Sequence, residues 1–196
     1  MILGLAGVTG TGKSFFKDKI TEQLGFEKLK IVTNREIRIG EKNGEDKIFV
    51  NDDELNELRK QGKIGFEFNL VGSTYAYLKE ELFSNKNIVF EMHYRTIFDF
   101  KKACPKLHTI YIFPNDIEVA KQKTRERHLK PDVEKKRILE IDEHYKNITT
   151  DENLRRQFDY YIYNNFDKKS EKEMLDLVKD ITKKYIKEKI NEKKLF

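Results

Sequence analysis

Residues 7 to 14 read Gly7-Val8-Thr9-Gly10-Thr11-Gly12-Lys13-Ser14, which spells G-x-x-x-x-G-K-S, a phosphate-binding loop. The glycines let the backbone curl until successive N–H groups converge on phosphate oxygens, a path that side chains would crowd. Lys13 reaches the outer phosphates of a nucleoside triphosphate, and the Ser14 hydroxyl is suited to Mg²⁺. The stretch Gly7, Thr9, Gly10, Thr11, Gly12, Lys13, Ser14 and Phe15 is therefore the expected seat of ATP with Mg²⁺.

The flanking residues supply what such a loop needs. Ile2 to Ala6 is a short apolar run of buried-strand type. From Lys13 to Leu24, Phe15, Phe16, Ile20 and Leu24 recur at helical spacing. Strand, loop and helix in that order aim a helix N-terminus, with its partial positive charge, at the anion.

Further on, Glu27 to Thr33 reads as a strand followed by a polar loop from Asn34 to Asp46. Asn51-Asp52-Asp53-Glu54 opens a helix running to about Gln61, and Lys63 to Tyr77 is extended with a break near Gly72. Asn87–Met92 and His108–Phe113 are apolar runs of parallel-sheet type around a helical segment. Two helices follow, Asn115–His128 and Pro131–Asn147, broken at the proline. Phe158–Tyr163 is a last strand and Ser170 begins a last helix. This alternation predicts an α/β fold of three layers with a central parallel sheet.

Composition narrows the setting. The chain has 196 residues, a single-domain length, with 37% charged residues and a net charge of +5. Acidic and basic residues alternate, which speaks for solvated helix faces and against a nucleic-acid partner. The lysine-rich end fits the outer face of an amphipathic helix whose buried side is Leu177, Ile181, Tyr185 and Ile186. A lone Cys104 suits a reducing cytoplasm. The first apolar stretch lacks a basic n-region and so is no signal peptide, and no apolar run has membrane-spanning length. No membrane partner is expected.

Several segments resemble those of one family. Thr33-Asn34-Arg35-Glu36-Ile37-Arg38-Ile39-Gly40-Glu41 with Gly44-Glu45-Asp46 is similar to the T-T-R-x-x-R-x-G-E…G-x-D-Y segment of guanylate kinases. Lys60-Gln61-Gly62 followed by Gly72-Ser73-Thr74-Tyr75-Ala76 resembles their G-x-F-x-E…G-x-x-Y-G-T region. Phe90-Glu91-Met92-His93 stands at their L-E-I-D, and Phe158 to Asn165 at their Y-D-Y-V-I-V-N-D strand. The blocks keep family order over about residues 2 to 185.

The resemblance implies a P-loop kinase core over about 1–33, 87–122 and 148–196, a small acceptor-binding β subdomain over about 34–86, and a helical lid over about 123–147. It implies transfer of the γ-phosphate of ATP to (d)GMP, giving (d)GDP and ADP, by a monomer or homodimer. Arg35 and Arg38 would clamp the acceptor phosphate with their guanidinium forks, joined by the Tyr75 hydroxyl. Lys123, Arg127 and Arg137 would be the basic residues of the lid, with Arg125 the alternative to Arg127. Asn164 would lie near adenine. Glu91 would either hold Mg²⁺ through water or anchor a loop.

The departures fall on the acceptor side. Where guanylate kinases read guanine with Ser, Glu and Asp, this chain has Ile31, Phe66 and His93. Lys47 replaces a tyrosine and stays suited to phosphate as a point charge, Tyr77 replaces Ser/Thr, and Phe15 replaces a second hydroxyl. A bulge at Gly65 would shift the strand phase and aim Glu67 into the pocket in place of Phe66. The substrate-side set is thus Arg35, Arg38, Lys47, Glu67, Tyr75, Glu91 and His93, and the metal-side pair is Ser14 and Glu91. The alternatives are a relative with a changed acceptor, another nucleotide or a sugar phosphate such as ribose 1,5-bisphosphate, or a non-catalytic interaction domain. No general base is required, because the attacking atom is already an anionic oxygen.

Overall fold

The chain alternates strand and helix from its first residues; the computed structural model describes residues 1–37, 41–45, 47–70 and 72–194. Its first half runs β1 (Ile2–Ala6), α1 (Lys13–Leu24), β2 (Glu27–Lys28), β3 (Ile31–Thr33), β4 (Lys47–Phe49), α2 (Asp52–Lys60), β5 (Ile64–Leu70), β6 (Ser73–Leu78) and α3 (Lys79–Leu82). The second half runs β7 (Ile88–Glu91), a 3-10 turn (Tyr94–Thr96), α4 (Ile97–Ala103), β8 (Leu107–Pro114), α5 (Ile117–Arg125), α6 (Pro131–Thr150), α7 (Glu152–Arg155), β9 (Tyr160–Asn164) and α8 (Lys168–Lys194).

The expected α/β fold is the one found. Five strands in the order β2-β7-β1-β8-β9 form a parallel sheet. β1 is buried along its whole length, and its alternate residues serve two cores. Leu3 and Leu5 pack with Phe16 and Ile20 of α1 and with Met174 and Val178 of α8. Ile2 and Ala6 join Phe90, Tyr111 and Phe100 on the opposite face. Along α8 the expected apolar stripe holds at Leu177, Ile181 and Tyr185, the last in ring contact with His108 of β8, but Ile186 is half exposed.

A second sheet, in the order β4-β3-β6-β5, pairs β3 and β4 in parallel and its other neighbours antiparallel. The single strand expected over residues 27–33 is in fact divided: β2 edges the first sheet and β3 belongs to the second. On one face of the second sheet, Val32 and Ala76 pack against Leu55 of α2. That helix is held at its start by a reciprocal capping box between Asn51 and Glu54.

The register of β5 against β6 shifts between Ile64 and Phe66, so the irregularity expected at Gly65 is present. A side chain there would meet Leu82 and Lys79 at 2.9 and 3.2 Å, which explains the glycine. Its consequence is opposite to the expected one. Phe66 turns to the core and stacks on Phe100 at 4.3 Å, whereas Glu67, paired opposite Ala76, sits on the α2 face with its carboxylate on Arg59 Nε at 2.9 Å. Burying the phenyl ring stabilises the fold by about 2–3 kcal/mol, and burying the neighbouring carboxylate would cost more than that.

Phe66, Tyr77, Phe90 and Phe100 thus form an aromatic joint between the two sheets, with ring centroids 4.3–6.3 Å apart. Phe100→Ala should lower unfolding stability by about 3–5 kcal/mol in urea titrations, because it empties the centre of this joint. Phe98→Ala, at a half-exposed position on the same helix, should change it by no more than about 0.5 kcal/mol.

Candidate active site

The loop between β1 and α1 depends on close backbone contacts. Gly10 and Gly12 adopt φ values of 87° and 85°. A Cβ on Gly10 would fall 2.2 Å from the Ala120 carbonyl oxygen, and one on Gly12 would fall 2.8 Å from Asn164 Nδ2. Thr11 Oγ1 donates to the Val8 carbonyl at 3.0 Å, closing the curl from inside. Lys13 Nζ donates to the carbonyls of Gly7 and Val8 at 2.9 and 2.8 Å. Burial lowers the Lys13 pKa to about 8; nearby Glu91 works against this and Arg127 with it. An ammonium so placed lacks the solvation it would recover from an anion.

Asn164 ends β9 beside this loop and is almost fully buried. Its Nδ2 donates to the Thr11 carbonyl at 2.9 Å, and its Oδ1 accepts from Phe166 N at 2.8 Å. The amide expected near adenine braces the loop from below, with one bond at each end. The sheet explains the placement, since β1, β7 and β9 all deliver their C-terminal ends to the same side.

Above the loop lies a cavity of about 860 Å³. Lys123 on α5, Arg127 in the following turn and Arg137 on α6 all line it, together with Lys13. Of the alternatives in the lid, the structure brings Arg127 to the cavity. Pro131 opens α6, where its fixed φ and missing N–H cost nothing. Ser14 and Glu91 share the cavity, and Glu91 also pairs with Lys17 at 3.1 Å. One hydroxyl and one carboxylate fit a Mg²⁺ ion that takes its other ligands from phosphates and water.

Phe15, Leu129, Val133 and Phe166 give the cavity an apolar wall. Of these, only Phe15 was singled out from sequence. Phe166, at φ 59°, was legible only as an aromatic just past the C-terminal end of a sheet strand, where α/β ligands lie.

A second cavity, of about 310 Å³, adjoins the first, and both are lined by Thr9, Lys13 and Arg137. Its far side carries His93, Tyr94, Arg95 and His144. His93 Nδ1 accepts from Arg95 N at 3.4 Å. Burial, followed by the charges of Arg95 and Lys13, lowers the His93 pKa to about 4. His144 shares a hydrogen bond of 3.0 Å with Tyr111 and stacks on Tyr94 at 3.6 Å, and burial again drives its pKa far down. Sequence reasoning missed Arg95 and His144; Arg95 lies only two residues beyond His93.

Of the other residues expected on the substrate side, Lys47 and Tyr75 lie in the second sheet and Arg35 just beyond β3. Arg35 Nη2 donates to both carboxylate oxygens of Glu41 at 2.8 and 2.7 Å, and Lys47 joins the same carboxylate at 3.1 Å. Tyr75 stacks on Phe68 at 5.4 Å on the face turned from α2. Arg38 lies outside the described residues. Glu67 is on the opposite face, as given above.

The profile of the guanylate kinase family matches residues 2–183. The chain belongs to the guanylate kinase family. It is 30% identical to the guanylate kinase of Rickettsia prowazekii over 65% of this chain and 67% of that one. It is 28% identical to that of Wolbachia pipientis over 96% and 94% of the two chains. The fold is similar to the crystal structure of guanylate kinase from Anaplasma phagocytophilum, with a TM-score of 0.66 at 20% identity over 92% of this chain and 85% of that one. Membership makes the protein a phosphotransferase of the kinase type, and among its described residues no helix is long and apolar enough to cross a membrane.

For a kinase of this family, the Asn164 brace carries a direct test. Asn164→Ala leaves the Thr11 carbonyl and Phe166 N–H without partners, so unfolding stability should fall by about 1–3 kcal/mol. Affinity for a non-hydrolysable ATP analogue, measured by calorimetry, should weaken with it.

Proposed function

We infer that the protein transfers a phosphoryl group from ATP to the phosphate of a nucleoside monophosphate. The observation that carries this reading is the pair of cavities sharing Lys13 and Arg137. Two anions that must react across a common wall need cations at that wall, and positioning with charge neutralisation supplies most of the catalysis. Bound ATP with Mg²⁺ supplies the phosphoryl group, which goes to a phosphate oxygen of the acceptor and leaves ADP.

The chain's own residues do the rest. The N–H groups of the loop and Lys13 hold the outer phosphates, and Ser14 with Glu91 serves the metal. Lys123, Arg127 and Arg137 bring charge from the lid and exclude water as α5 and α6 close. Arg35 and Lys47 exchange Glu41 for the acceptor phosphate, with Arg38 and Tyr75 joining them. The lone Cys104 suits a reducing, cytoplasmic setting.

The acceptor named by the relatives is guanylate, and (d)GMP is the first reading. A changed acceptor is the second, favoured by the burial of Phe66 and by the Glu67–Arg59 pair.

ADP release with ATP, Mg²⁺ and a panel of monophosphates tests the activity. Lys13→Ala should reduce kcat/KM by a factor on the order of 10²–10³. Arg137→Ala should lower kcat more than it raises KM. Equal turnover in wild type and Lys13→Ala would remove the proposal.

A further inference from the structure

The larger cavity has aromatic lining that phosphate chemistry does not use. Phe15 and Phe166 line it with Leu129 and Val133, and the two rings are 46% and 38% exposed. Phe15 stands in the first turn of α1, its ring edge-on to that of buried Phe16 at 5.5 Å. Phe166 follows β9, and its ring comes within 3.9 Å of where a Cβ on Gly12 would lie. Gly12 is the residue that caps α1, so both rings lie beside the turn in which the loop becomes helix.

Phe166 is held there against its own preference. Its φ of 59° lies in the left-handed region, which a bulky side chain rarely adopts. Asn164 Oδ1 fixes that backbone by accepting from Phe166 N at 2.8 Å. A ring left more than a third in the open returns little of the cost through burial. Strain that the surroundings maintain at a cavity wall points to a use for the residue.

The polar side chains among the described residues lining this cavity are otherwise committed. The hydroxyls of Thr9 and Ser14 belong to the phosphate loop, and the cations belong to the phosphates. The one carboxylate, Glu91, is engaged by Lys17 at 3.1 Å. Asn164, whose amide could both donate and accept at a base edge, is buried and spends its two ends on Thr11 and Phe166. Phe15 and Phe166 offer ring faces and no hydrogen bonds. Every nucleobase has a π face, so stacking adds affinity without reading the edge.

Resting on the kinase reading above, we propose that Phe166, together with Phe15, is the platform for the base of the phosphoryl donor, and that it holds adenine and guanine with little choice between them. The loop fixes the triphosphate, and the rings add an affinity common to both purines.

The experiment is competition, on the full chain with Mg²⁺, against one fluorescent ATP analogue. The competitors are non-hydrolysable ATP and GTP analogues and inorganic tripolyphosphate, which has no base. The two purine analogues should bind within about fivefold of each other. Phe166→Ala should weaken both by about tenfold and by a common factor, while tripolyphosphate shifts by no more than about twofold. The Asn164 bond reaches the Phe166 backbone and so survives that substitution. Phe166→Tyr, which keeps the ring, should preserve the wild-type affinities, and Phe15→Ala should weaken both analogues in the same sense.

A preference above about fivefold for either purine would overturn the inference and leave the kinase reading standing. So would Phe166→Ala acting on one analogue alone or on neither, or both Ala variants weakening tripolyphosphate as much as the nucleotides. Failure of the fluorescent ATP analogue to bind the wild-type chain would remove the kinase reading, and this inference with it.

Discussion

The site is organised around an ammonium group kept partly out of water. Lys13 rests on the carbonyls of Gly7 and Val8, inside a loop whose path is open only to glycine at Gly10 and Gly12. That arrangement fixes much else. The Ala120 backbone must lie against the loop, so α5 is seated on it, and Asn164 must support it from β9. Val8 carries the contact on to Ile141 of α6, which links the loop to α5 and α6 through apolar packing.

Many of the other cations of the site are provisionally neutralised. Lys123 pairs with Glu126, Arg137 with Glu140 and Arg95 with Glu143, and Arg35 and Lys47 share Glu41. The lid pairs and the Arg95 pair are open to solvent and so contribute no more than about 1 kcal/mol each. Such exposed pairs hold long basic side chains extended at little energetic gain. The Arg35–Glu41 pair is more enclosed, with one guanidinium nitrogen donating to both carboxylate oxygens.

The loop and the parallel sheet were legible because glycine conformation and strand burial leave little choice of residue. The resemblance groups Lys123, Arg127 and Arg137 in a lid, and the fold places all three at one cavity. Glu67 was misjudged even though the irregularity at Gly65 was anticipated. Period-two alternation tells which residues share a face but not which face is inward; the aromatic joint around Phe100 decides that, and it is built from distant segments. The bracing of the loop by Asn164 was not legible, since sequence does not show which backbone groups a buried amide satisfies. Phe166, Arg95 and His144 depend on the crossing of β9, the turn after β7, and α6, and no local spacing announces that.

The most direct measurement is the proton taken up when a non-hydrolysable ATP analogue binds, obtained by calorimetry in buffers of different ionisation enthalpy. The free chain holds Lys13 at a pKa of about 8, and a bound polyphosphate raises it. Between those two values binding must draw in a proton, so uptake should be small at pH 7 and approach about one proton near pH 9. Lys13→Arg, which stays charged throughout, should show none of this uptake. Equal proton uptake at pH 7 and 9, or the same rise in Lys13→Arg, would contradict the central role given to this ammonium.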